Sequence, residues 1–193
     1  MIPRSLALLT ALSLGLGAAA LAGCDRGPPP GTVSSQHFAD AIHAVLSADR
    51  ETYAREVVDR LQFQERRLKA TEHFADDKTL PLPAQMLRMS AERSQMIGVS
   101  FTYSLLSLWP ISAQNGAKTE SEKKGLRTVS STGKPYYTEE TLSGTRYFSA
   151  FYPDKAVVDA CVECHNDRED SPRRDFQLGD VMGAVIIRVP LGQ

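Results

Sequence analysis

Cys161-Val162-Glu163-Cys164-His165 constrains this chain more than any other stretch. Two thiols two residues apart, with an imidazole next in line, form the C-x-x-C-H pattern of covalent c-type haem attachment. Each thiol can add to one vinyl group of the same porphyrin. The histidine is then held beneath the iron as an axial ligand. A chain carrying this pattern must fold around a flat apolar group and wall it with apolar side chains.

The N-terminus says where such attachment takes place. Arg4 precedes a short apolar run that continues through Gly and Ala to Ala22, which describes a secretory signal peptide over residues 1–23. The run is too short and too rich in small residues to read first as a permanent membrane span. Leu21-Ala22-Gly23-Cys24 resembles the lipobox of bacterial lipoproteins, in which cleavage leaves a lipidated N-terminal cysteine. An incidental cysteine after an ordinary signal peptide is the alternative. Residues 24–34, with Pro28-Pro29-Pro30, read as an exposed, partly stiff tether. The protein is thus expected outside the cytoplasm, in the periplasm, anchored to a membrane through Cys24. Asp25 resembles the signal that keeps such proteins on the inner membrane of enteric bacteria.

Three cysteines then suffice: Cys24 for lipid, Cys161 and Cys164 for the haem vinyls. In an oxidising compartment the rival readings of that pair are a small disulfide or half of a zinc site. A zinc site would need further ligands, and His37, His43 and His73 lie far away in sequence. With Lys+Arg 22 against Asp+Glu 23, no nucleic-acid partner is indicated.

Ser34 or Ser35 can cap a helix starting near Gln36. Phe38, Ile42, Val45, Leu46, Tyr53, Val57 and Leu61 recur at helical steps, predicting one long amphipathic helix to about His73. Such a stripe must be buried on the body or on a second copy, which makes a homodimer plausible. Pro83 opens a second helix to Ile97, which Gly98 stops. Val99–Leu106 alternates as a strand, and Thr119 caps a helix that Gly133 ends. Tyr136–Leu142 and Thr145–Tyr152 pair through Ser143-Gly144. Residues 154–160 read as a helical turn delivering Cys161, residues 166–175 as a charged loop, and Val181–Val189 as a central strand. Helices followed by mainly antiparallel strands make an α+β domain over residues 35–193.

The run Tyr147-Phe148-Ser149-Ala150-Phe151-Tyr152-Pro153-Asp154-Lys155-Ala156, then Cys161-Val162-Glu163-Cys164-His165-Asn166, resembles the bacterial c-type haem domains with a PAS-like fold. Leu80-Pro81-Leu82-Pro83-Ala84 and Gly179-Asp180-Val181-Met182-Gly183-Ala184-Val185 match in the same order, so the likeness spans roughly residues 37–191. Such domains occur as stand-alone secreted proteins and as extracytoplasmic sensor modules of kinases and chemoreceptors. The resemblance implies a five-stranded antiparallel sheet, one covalent haem c, and a redox or small-ligand (gas) sensing role. Some family members place a cysteine from the N-terminal helix on the far side of the iron. No spare cysteine exists here for that position.

Cys161 and Cys164 are therefore the expected thioether positions and His165 the proximal iron ligand. For the distal side the candidates are Met86, Tyr53 and His43, each also readable as packing or surface. Trp109, Phe148 and Phe151 are candidates for the apolar wall, and Arg173 and Arg174 for pairing with propionates or for a solvated loop. No catalytic carboxylate or nucleophile constellation stands out, so an enzyme is not expected. The expected function is a lipid-anchored monohaem protein that senses redox state or a diatomic ligand, read by a signalling partner. The alternative is a periplasmic electron-transfer cytochrome passing single electrons to a respiratory partner.

Overall fold

The computed structural model describes residues 31–192. The expected signal peptide (1–23), Cys24 and most of the expected tether fall outside them. From Val33 onward the chain forms one unit of helices around an antiparallel sheet, which makes it α+β as expected.

Ser34 is the cap of α1 (Ser35–Thr52), its hydroxyl accepting from the His37 backbone N–H at 3.1 Å. The apolar stripe then departs from the expected single helix. From Tyr53 to Gln64 the turns widen into a π helix. The end is loose: Arg67 N donates to Leu61 O, and Arg66 takes a left-handed φ of 53°. The helix therefore stops at Gln64, short of His73. A two-residue parallel pair, β1 (Ala70–Thr71) with β2 (Leu80–Pro81), and the short α2 (Phe74–Asp77) fill the stretch before α3 (Pro83–Met96).

The main sheet is β3 (Thr102–Leu106), β6 (Val181–Pro190), β5 (Thr145–Lys155) and β4 (Tyr136–Leu142), in that spatial order and antiparallel throughout. It has four strands where the resemblance implied five, and β1 and β2 pair apart from it. β3 also starts at Thr102 rather than Val99. Ser143 and Gly144 both carry positive φ, 49° and 83°, the mirror-image turn that matches strand twist.

Both faces of the sheet are covered, which explains why the central strand β6 reads as an unbroken apolar run. Ala150, Tyr152, Val185 and Ile187 meet Ala39 of α1 and Leu87 of α3. The alternate residues Phe151, Ala184 and Ile186 meet Leu126 and Val129 of α4 (Glu120–Thr132). Gly125 sits inside α4 because a Cβ there would lie 2.5 Å from the Phe151 ring. β5 runs on as strand to Lys155, past the expected break. The chain then turns, pairing Ala156 N with Asp180 O and Gly179 N with Ala156 O, before α5 (Asp159–Asp167).

Candidate functional site

Cys161, Cys164 and His165 all lie on α5, a nine-residue helix. Spacings of three and four residues put them on one face. The two thiols are free and half-buried. Cys161 touches two apolar clusters at once. One contains Ala54 and Phe63 of the π helix with Val158 and Ala160; the other contains Phe176, Met182, Trp109 and Val162. The motif face is thus set against the wide-turned second half of the first helix.

His165 is held by a neighbour that sequence reasoning passed over. The Phe176 ring meets it edge-on, with centroids 5.8 Å apart and planes at 89°. Phe176 is placed by Asn166, whose side-chain amide donates to Phe176 O at 2.9 Å and accepts from Phe176 N at 3.0 Å. On its other side Phe176 carries the Arg173 guanidinium, 4.3 Å from the ring centroid, and Arg173 also lies 4.8 Å from the Trp109 ring. The only sequence signal for this clamp was an amide directly after the motif and an aromatic within the charged segment.

Burial pushes the His165 imidazole below its ordinary value, and the cations Arg50 and Arg168 act in the same direction. Both effects favour the neutral imidazole, the state in which it can act as a ligand. Its Nδ1 is buried with no hydrogen-bond partner among the described residues. Burial likewise raises the Cys164 thiol, partly offset by Arg168. Among the described residues no three His, Cys, Asp or Glu side chains converge as a metal cage.

A cleft of about 490 Å³ flanks the same helix, lined by Gln62, Phe63, Leu68 and Glu163 with the cations Arg66, Arg67 and Lys69. Its size falls within the range of small-molecule sites. Its rim suits a ligand bearing carboxylates.

The remaining candidates disperse. Of the three suggested wall residues, only Trp109 reaches the motif. Phe151 is fully buried against α4, and Phe148 stacks on Tyr137. Tyr53 stands at the start of the π helix and donates its hydroxyl to Pro81 O at 2.7 Å. His43 stacks flat on Tyr152, with centroids 3.9 Å apart, and lines a cavity of about 150 Å³ that also holds Arg50 and Asp154. Met86 is half-buried on α3. Arg173 and Arg174 both have partners within the domain. Arg173 pairs with Asp175 and Asp180, and Arg174 donates to Asn166 O.

A family model for Tll0287-like proteins matches residues 33–190, nearly the whole described chain. The chain belongs to the Tll0287-like family. The solved structure of the cyanobacterial heme-protein Tll0287 has the same fold, with a TM-score of 0.54 at 13% identity. The match covers 83% of this chain and 99% of that one. No curated protein matches.

Proposed function

We propose that this protein is a monohaem c-type protein of the cell envelope, with haem joined through Cys161 and Cys164 and His165 as the proximal ligand. The observation that carries this is the grouping of those three side chains on one face of α5. There the thiols are free and burial favours the neutral imidazole, with a buried nitrogen that no other described residue satisfies. The related cyanobacterial protein is described as a heme-protein, which agrees. Bound there, haem would supply an iron that changes oxidation state and can take an outside ligand. The fold is read as PAS-like, and Cys24 as the lipidated anchor on the periplasmic side of a membrane.

The chain's own residues favour sensing over simple carriage. Ala54 and Phe63 bring the π helix directly against Cys161 and its neighbours. Long π helices are rare, and π turns cluster at functional sites. A twelve-residue π segment can tighten toward α-helical turns when its packing on α5 changes. Such a segment is a two-state element next to the motif, able to relay a change of redox state or of small ligand to a partner protein. The reading is non-catalytic.

The test is maturation alongside a cytochrome c assembly system, followed by acid–acetone extraction. Colour stays with the protein, and a Cys161→Ala/Cys164→Ala variant loses it. Complete extraction of the colour from the unaltered protein would refute the covalent reading. A reduced spectrum that shifts under carbon monoxide supports the sensor. A spectrum inert to the gas in both oxidation states identifies an electron carrier instead.

A further inference from the structure

The end of the domain remote from the motif carries a feature that the haem reading does not use. α3 finishes in Met96 and Ile97, adjacent apolar residues that are 83% and 81% exposed. Gly98, at φ +80°, turns the chain away and leaves both side chains projecting. Gln95 Nε2 just before them donates to Phe101 O at 2.7 Å, and the Phe101 ring meets Phe38 edge-on at 5.5 Å. Phe38 belongs to the first turns of α1, so the α3 tip and the start of α1 share one end. Val33, just before the cap, is 69% exposed there.

β3 begins at this end, with Thr102 opposite Arg188 of β6. β6 and β5 lead from there to the other end, where Lys155 pairs with Val181 and α5 follows. A ten-residue strand spans about 30 Å at 3.3 Å per residue. The apolar tip and the Cys161–His165 helix are separated by roughly that length.

We propose that the end bearing Val33, Met96 and Ile97 rests on the lipid bilayer, with Met96 and Ile97 seated in its interfacial layer and α5 held toward the aqueous side. The inference rests on Cys24 being the lipidated residue. Nine residues lead from Cys24 to Val33. At no more than about 3.6 Å each they reach about 30 Å, so lipids on Cys24 keep Val33 within that distance of the surface. The one pair of adjacent, strongly exposed apolar side chains among the described residues lies at this same end. A second weak apolar contact is what turns a flexible lipid tether into a defined orientation. Arg93, one turn earlier on α3, has no ion pair among the described residues and suits headgroup phosphates. Two side chains fall far short of the roughly 800 Å² per partner that a stable dimer buries.

The test uses the full chain, matured with its signal segment, in phosphatidylcholine–phosphatidylglycerol vesicles doped with a photoactivatable acyl-chain probe. Labels mapped by mass spectrometry concentrate on the Arg93–Phe101 peptide, roughly tenfold above the Asn166–Asp175 loop. Met96→Glu/Ile97→Glu, both at exposed positions, keeps the far-ultraviolet spectrum and loses that labelling while the protein stays on the vesicles. Labels confined to the residues adjoining Cys24 would overturn the seated tip and leave the anchor standing. An unacylated Cys24 in the mature protein overturns both. Shielding of the tip that depends on protein concentration and not on lipid overturns it in favour of self-association.

Discussion

Arg50 and Asp154 close a two-point ion pair, with Nη1 to Oδ1 at 2.7 Å and Nη2 to Oδ2 at 2.9 Å. Their side chains are only 14% and 12% exposed. The pair bolts the last turn of α1 to the end of β5, just before the chain enters α5. Breaking one partner of a buried pair strands the other charge, at a cost of about 3–5 kcal/mol. Arg50→Met is therefore expected to lower stability by that order in urea denaturation. Adding Asp154→Leu recovers much of the loss, because no buried charge is then left alone. Equal stabilities for the single and double variants would show that the pair is solvated.

Asn166 is expected to matter beyond its own two hydrogen bonds. It satisfies both backbone groups of Phe176, the ring that sets the plane of His165. Asn166→Leu leaves a buried N–H and C=O unpaired, a penalty of about 1–3 kcal/mol. With Phe176 loosened, the imidazole loses its lateral support. The holoprotein's reduction potential is expected to move as well, which a purely structural residue remote from the haem would not cause. Potentiometry alongside a melting curve separates the two effects.

Tyr53→Phe decides between two roles for one hydroxyl. The structure commits that hydroxyl to Pro81 O, tying the π helix to β2. Its loss is expected to cost about 1 kcal/mol and to leave the haem absorption bands in place. A change in the ferric spectrum would instead reassign the hydroxyl to the iron.

How far the chain could be read in advance follows from the range of the forces involved. Local signals served well. The Ser34 cap, Pro83 opening α3, Gly98 and Gly133 closing helices, and Ser143-Gly144 at the hairpin are all decided within a few residues. The grouping of Cys161, Cys164 and His165 is likewise local, because helical spacing alone gathers them. The failures involve distant partners. The stripe through Tyr53, Val57 and Leu61 steps by four residues, a spacing that over so few turns fits either the α or the wider π period. Those turns are set by packing of Ala54 and Phe63 against Val158, Ala160 and Cys161, about a hundred residues on. Phe151 and Trp109 were indistinguishable as wall residues until the sheet register sent one toward α4 and left the other beside Phe176. Gly125, by propensity a poor residue for a helix interior, is the residue that lets α4 approach Phe151.

Glu140 links the fold to pH. Its Oε1 accepts from Ser149 Oγ at 2.6 Å and from Arg188 Nε at 2.8 Å, while Arg188 Nη2 reaches Glu122 on α4 at 2.8 Å. The side chains of Glu140 and Arg188 are 6% and 13% exposed. Burial pushes the Glu140 carboxyl up, but the Ser149 bond and Arg188 outweigh it, and the net result lies below the ordinary 4.5. A carboxyl depressed in the folded state contributes stability that is fully present above its unfolded value and is lost as pH falls through the folded one. Glu140→Gln keeps the shape and removes the charge, so at neutral pH it is expected to cost about 1–3 kcal/mol. Below pH 4.5 the unfolded chain takes up the proton first and the native carboxyl only at its depressed value, so the gap between the two proteins narrows across that interval. Every other carboxylate titrates in both, so the difference of their urea midpoints isolates Glu140. A gap that holds constant from neutral pH into the acid range would mean that the Arg188 pairing contributes nothing to stability.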